Sequence, residues 1–167
     1  MPDFGYVLYH CNDIIKDGES FLLLLGDQIY KSYEKDSCIK QIVNNYEGDL
    51  MLTASETSLD NVSKYGIMCG DYIADNKFTI SSMKEKPTKL YAKKNLKMSY
   101  KNSDTYFCVF GTYVFNSNIV KDAIEFFNRS GNKYELTSFL DYYKGKKYAF
   151  IPNGKYFDIG NSDSYNN

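Results

Sequence analysis

The chain has 167 residues, enough for one domain with a sizeable core. Its 20 basic and 21 acidic residues nearly cancel, so charge gives no reason to expect nucleic acid or a membrane surface as partner. Cys11, Cys38, Cys69 and Cys108 are widely spaced with no CxxC pair, and His10 is the sole histidine. Zinc, dithiol and Ser-His or Cys-His chemistries are therefore not expected. With no signal peptide and no apolar run near 20 residues, the expectation is a cytosolic protein with reduced thiols.

Val7-Leu8-Tyr9 opens a short segment that runs into helix. Phe21-Leu22-Leu23-Leu24-Leu25-Gly26-Asp27 then reads as a strand buried on both faces of a parallel sheet. Ser37 or Asp36 caps a helix whose apolar positions are Cys38, Ile39, Ile42, Val43 and Tyr46, with Gly48 ending it. Leu50 to Ala54 is a second buried strand, completing a βαβ unit with a right-handed crossover. Leu59 to Lys64 predicts a helical turn or two, Tyr65 to Met68 a short strand, and Phe78 to Met83 a half-exposed strand. Pro87 closes that region, because proline supplies no ladder donor.

Residues 88–103 predict a helix plus an exposed loop. Lys84, Lys86, Lys89, Lys93, Lys94 and Lys97 make this the densest basic stretch, either a solvated face or a phosphate contact. Tyr106 to Phe115 is a long strand with a break expected at Gly111. Two amphipathic helices follow, one with Ile119, Val120, Ala123, Ile124 and Phe127 on a face and Ser117 as cap, the other over Glu135 to Tyr143. Lys147 to Ile151 and Lys155 to Phe157 read as a final hairpin around Pro152-Asn153-Gly154.

Asp27 ends a strand at the sheet's carboxyl edge, where open α/β sheets bind ligands. There it can hold a divalent cation and nucleotide phosphates; it can equally open a turn or cap a helix. Asp158, after a strand and before Gly160-Asn161, is a second carboxylate with the same two readings. Two such aspartates can share one Mg²⁺, whose preference for hard oxygens suits carboxylates and phosphates together. Gly66 either lets a ligand approach the backbone or relieves a bend. In Glu85-Lys86-Pro87, the acid can accept sugar hydroxyls and the lysine meet a phosphate, although such tripeptides are common on surfaces.

In order along the chain, Phe4-Gly5-Tyr6, Phe21 to Asp27, Ser37 to Gln41, Tyr65-Gly66-Ile67, Glu85-Lys86-Pro87, Tyr134-Glu135-Leu136-Thr137 and Lys155 to Asn161 resemble the bacterial-type UTP–glucose-1-phosphate uridylyltransferases. The likeness is colinear and spans nearly the whole chain. It implies an α/β fold with a partial doubly wound mixed sheet, a Rossmann-like nucleotide-diphospho-sugar transferase fold lacking its first strands. Residues 1–167 would form a single domain, the carboxyl-terminal two-thirds of the family's.

The resemblance further implies that Asp27 and Asp158 bind Mg²⁺, that Glu85 holds the glucose hydroxyls and that Lys86, the implied catalytic residue, meets the phosphates. Gly66 would meet the sugar through its backbone and Gly5 would lie against the uracil, with Asp3 where the family usually has another glycine. The implied partners are UTP, glucose 1-phosphate and UDP-glucose.

One departure is large. The family's glycine-rich triphosphate loop, roughly Leu-Ala-Ala-Gly-x-Gly-Thr-Arg, has no counterpart here. Without that cradle of backbone donors the chain is expected to be weak or inactive alone, as a truncated or split form. Its Leu22 to Leu25 strand would also lack a neighbour and become an apolar edge, open to a homo-oligomer or to a complementing amino-terminal fragment. The alternative is a non-catalytic nucleotide-sugar-binding or interaction module.

Overall fold

The structure, a computed structural model, describes residues 4–74, 76–131 and 133–160. Its frame is β9 (Ser103–Asn116), a 14-residue strand that pairs over most of its length with β3 (Leu50–Thr57). The nine-stranded sheet continues beyond β3 through β10 (Lys147–Phe150) and β6 (Lys77–Thr79) to β5 (Tyr72–Ala74). On the other edge of β9 lie β1 (Ser20–Leu24), opposite residues 112–116, and β4 (Gly66–Cys69), opposite Phe107 and Cys108. β7 (Ser82–Glu85) pairs with β4, and β8 (Met98–Tyr100) forms a hairpin with the start of β9. Among the described strands only β3 and β10 are parallel, so the sheet is mixed, as the resemblance implies.

Helices cover both faces. Leu50, Leu52 and Phe115 bury against α1 (Gly5–His10), α4 (Asn118–Arg129) and α5 (Leu136–Tyr142). Alternate residues Met51 and Val114 point the other way and meet Ile42 of α2 (Cys38–Asn45). On the remaining part of the sheet, Ala92 and Leu96, in and just after α3 (Lys89–Asn95), pack with Ile67, Tyr106 and Cys108. The period-two alternation of a strand thus divides one apolar run between two helical layers.

Four expectations need correction. The Phe21 to Leu25 run is not a two-sided parallel strand: β1 is antiparallel to β9, and Leu22 (38% exposed) and Leu24 (46% exposed) face outward. β1 and β3 are not neighbours either; β9 lies between them, because its length lets it serve both. Phe78 to Met83 splits at Ile80-Ser81 into β6 and β7, whose partners are different strands. Finally, β10 and β11 (Gly154–Asp158) do not form a hairpin. β11 instead pairs with β2 (Gln28–Ser32), a strand absent from the expected elements, in a separate two-stranded sheet.

Candidate functional site

The break expected at Gly111 organises the site. Between the pairs Leu52–Tyr113 and Ala54–Val109, Thr53 alone faces three residues of β9. Gly111 sits at φ +37°, and a Cβ there would stand 1.9 Å from Gln28 Oε1. A side chain is excluded both by backbone conformation and by space.

Three hydroxyls hold this bulge from inside. Tyr30 and Thr53 both donate to the Phe110 carbonyl, the two hydroxyls lie 2.9 Å apart, and Thr112 Oγ1 donates to Tyr30 Oη at 3.1 Å. Burial pushes the Tyr30 phenol up to about 12.

The bulge separates the two strands on that edge of β9. Leu25 N–H bonds to Gly111 O at 2.9 Å, and Gly66 stands 3.4 Å from Val109 Cγ2 by its would-be Cβ. Those β9 residues are two apart, about 7 Å of extended chain. The carboxyl end of β1 and the start of β4 therefore reach β9 on either side of the bulge.

On one side of it lies Asp27. The pairing of Asp158 with Gln28 and the bond from Ile159 N–H to Asp27 O (2.8 Å) bring β11's end to the turn after β1. A Cβ placed on Gly160 would be 3.0 Å from Asp27 Oδ2 and 3.2 Å from Asp158 Oδ1, and Gly160 N–H also donates to Asp158 Oδ1. Asp27 Oδ1 and Gln28 Oε1 are buried with no hydrogen-bond donor. Two converging carboxylates with an unmatched buried oxygen are a donor set that suits a hard divalent cation. Among the described residues no three His, Cys, Asp or Glu side chains converge, so this pair needs phosphate or water oxygens to complete a shell.

On the other side lie Gly66 and Glu85, cross-strand partners in β4 and β7. Glu85 Oε2 accepts from Thr137 Oγ1 at 2.7 Å, and a Cβ on Gly66 would stand 2.9 and 3.0 Å from those two oxygens. Lys86 Nζ is 3.7 Å from Glu85 Oε1 and mostly exposed. Lys86 adopts φ +41°, a left-handed conformation unusual for lysine, directly before Pro87. Non-glycine strain of this kind gathers at ligand-binding sites.

Gly5 is elsewhere in the packing. It is buried in α1, donates from its N–H to Tyr134 O at 3.0 Å, and a Cβ on it would overlap that carbonyl and the Phe127 ring. Asn161, the last residue of the terminal motif, lies outside the described residues.

A groove of about 900 Å³, bordered by Glu56, Tyr72, Tyr100, Lys101, Ile151 and Asn153 among others, touches none of these groups. Size alone does not mark the site.

Sequence reasoning named Gln28 and Tyr30 only as the residues following Asp27, gave Thr53 no role beyond its strand, and named Thr137 only within a motif. The readable signal for the first three was Gly111 itself, since a glycine inside a strand marks a bulge that something must hold.

Residues 7–167 match the model of the nucleotidyl transferase family. The chain belongs to that family. A UTP–glucose-1-phosphate uridylyltransferase of Pseudomonas aeruginosa is 26% identical over 169 aligned residues, which cover 99% of this chain and 56% of the relative. The chain thus spans little more than half of that relative's length.

Solved structures share the fold. A UDP-glucose pyrophosphorylase complexed with UDP-glucose superposes with a TM-score of 0.79 at 24% identity, over 99% of this chain and 60% of the other. A UTP-bound UGPase from Acinetobacter baumannii gives 0.74 at 16% identity, over 96% of this chain and 53% of the other. The nucleotidyl transferase chain described here therefore has the mixed α/β sheet of those proteins over the part that it spans.

Proposed function

We propose that this nucleotidyl transferase chain carries the sugar and metal side of a UTP–glucose-1-phosphate uridylyltransferase, which joins UTP and glucose 1-phosphate into UDP-glucose and pyrophosphate. The observation that carries the reading is the bulge at Gly111, with Asp27 and Asp158 beside the strand end on one side and Gly66 and Glu85 beside that on the other. An in-line attack of the sugar phosphate on the α-phosphorus needs a charge-neutralising pole and a pole that fixes the sugar.

Each residue then has a task. Glu85 accepts from glucose hydroxyls, and the Gly66 backbone admits the ring where a side chain would collide. Lys86, on a mobile stem, meets the phosphates and offsets charge as the bond to pyrophosphate breaks. Asp27 and Asp158 would hold Mg²⁺, which supplies Lewis-acid neutralisation of phosphate oxygens when bound. Gly5, packed against Tyr134 and Phe127, would lie against the uracil.

No described helix is long and apolar enough to cross a membrane, and we place the chain in the cytoplasm. It would act as one domain, 1–167, either as a homo-oligomer or with an amino-terminal fragment that supplies a phosphate loop.

A second reading is a nucleotide-sugar-binding module without turnover. Calorimetric titration of UDP-glucose with and without Mg²⁺ tests both readings. Binding that needs the metal and is lost in Asp27→Asn supports the site. Turnover on adding the family's amino-terminal fragment then selects the enzyme over the module, and no binding by a folded chain rejects both.

A further inference from the structure

Glu85 is held from a helix far away in sequence. α5 lies along β7 in a fixed register. Thr137 Oγ1 donates to Glu85 Oε2, and one turn later Asp141 Oδ1 accepts from Met83 N–H at 2.7 Å and Ser82 Oγ at 3.3 Å. Four helical residues rise about 6 Å and two strand residues about 7 Å, so one helical turn spans the Met83-to-Glu85 step. The far end of α5 is tied as well, because the buried Lys147 donates through Nζ to Leu140 O at 2.6 Å.

The Thr137 hydroxyl makes no cap bond within α5, where the cap position, Glu135, has no side-chain capping bond. Its partner is Glu85, and the two meet against the bare Cα of Gly66. Among the described residues Glu85 also has a cationic neighbour, Lys86, with Nζ 3.7 Å from Oε1. The carboxylate therefore stands between a short bond to a hydroxyl and a long approach to an ammonium.

We infer that Thr137 is a positioning residue that pins Glu85 Oε2 and leaves Oε1 available to a ligand hydroxyl, an inference that rests on the reading of Glu85 as the sugar acceptor. Without the hydroxyl, the carboxylate is free to swing toward the Lys86 ammonium, and its acceptor atoms are lost to the sugar. The bond is charge-assisted, which makes it worth more than a neutral pair of the same length.

The test compares UDP-glucose with UDP, which lacks the sugar, by calorimetric titration of the 167-residue chain with Mg²⁺ present. In Thr137→Val, affinity for UDP-glucose should fall about tenfold while affinity for UDP stays within about twofold, as expected for the loss of one hydrogen bond acting on the sugar alone. Thr137→Ser, which keeps the hydroxyl, should restore the wild-type value. Equal affinity of Thr137→Val and wild type for UDP-glucose overturns the inference. So does an equal fall for both ligands, or a failure of Thr137→Ser to rescue, since each makes the residue merely structural. Where Thr137→Val does not keep the wild-type thermal midpoint, Thr137→Ala measured against Thr137→Ser makes the same comparison. If the folded wild type binds neither ligand, the functional reading fails and the inference fails with it.

Discussion

Asp27 Oδ2 and Asp158 Oδ1 lie within about one hydrogen-bond length of the same point, the position of a would-be Cβ on Gly160, although the two aspartates are 131 positions apart in the chain. Nothing in either local sequence requires this. The pairing of β2 with β11, register Gln28 with Asp158, imposes it. Two like charges at such a range repel, and the buried Asp27 Oδ1 lacks a donor, so the arrangement is one that a cation would relieve.

Asp27→Asn should therefore be at least as stable as the wild type in chelator. The new amide can donate to Asp158, and relief of repulsion between partly solvated carboxylates is on the order of 1 kcal/mol. Added Mg²⁺ should then raise the wild-type thermal midpoint and leave the variant unmoved, because only a bound ligand stabilises by mass action. A wild type indifferent to Mg²⁺, or a variant that responds equally, would remove the pair from the metal site.

Gly66→Ala and Gly111→Ala should separate ligand binding from folding. A methyl on Gly66 meets side chains and no backbone: Glu85 Oε2 at 2.9 Å, Thr137 Oγ1 at 3.0 Å and Val109 Cγ2 at 3.4 Å. A methyl there displaces the Glu85 carboxylate from its bond with Thr137 without touching backbone, so stability should fall by about 1 kcal/mol while UDP-glucose binding is lost. At Gly111 the φ of +37° adds backbone strain to the contact with Gln28, and a loss of about 1–3 kcal/mol is expected. Urea unfolding of both variants, with a UDP-glucose titration of Gly66→Ala, makes the comparison.

How much of this was legible depends on the range of the interaction concerned. Ser37 was readable as a cap and does accept from Lys40 N–H at 3.2 Å, because capping is decided within four residues. Ser117 reads equally well as a cap, yet its Oγ accepts from Gly18 N–H, a partner brought from the other end of the chain. Pro152-Asn153-Gly154 correctly signals a change of direction. It does not say that the chain leaves one sheet for another, where Asn153 O accepts from Tyr33 N–H and Gln41 Oε1 accepts from Asn153 N–H. The carboxylates of the site could be named one by one from strand ends and motifs. Their convergence, and the hold of Thr137 on Glu85, are products of long-range pairing that local pattern does not encode.

Tyr30→Phe should weaken the bulge by about 1–3 kcal/mol, since it removes the hydroxyl shared among Phe110 O, Thr53 and Thr112. It should also change the response to alkali. Burial raises the Tyr30 phenol from 10.0 to about 12, so the folded state favours the protonated form. That contribution is fully present below pH 10, where both states hold the proton, and is lost as pH rises toward about 12. Unfolding free energies at about pH 9 and about pH 11 should thus differ less in Tyr30→Phe than in the wild type. Some slope should persist, because burial also raises Tyr143 and Tyr156 to about 12. An unchanged slope would mean that Tyr30 ionises without disturbing the fold.

β1 has a described ladder partner on one side only, and it turns Leu22 and Leu24 outward at 38% and 46% exposure. An apolar strand with a free edge invites pairing with a further strand, and natural sheets often place a lysine at such positions to prevent it. No lysine lies between Glu19 and Tyr30 here. Leu24→Lys should therefore lower concentration-dependent self-association, measured by sedimentation, and it should cost little stability because the side chain already faces outward. The same substitution should weaken any rescue of turnover by an amino-terminal fragment that docks on this edge. If association is unaffected while rescue is lost, the edge belongs to the fragment; if association falls and rescue survives, it belongs to a second copy of the chain.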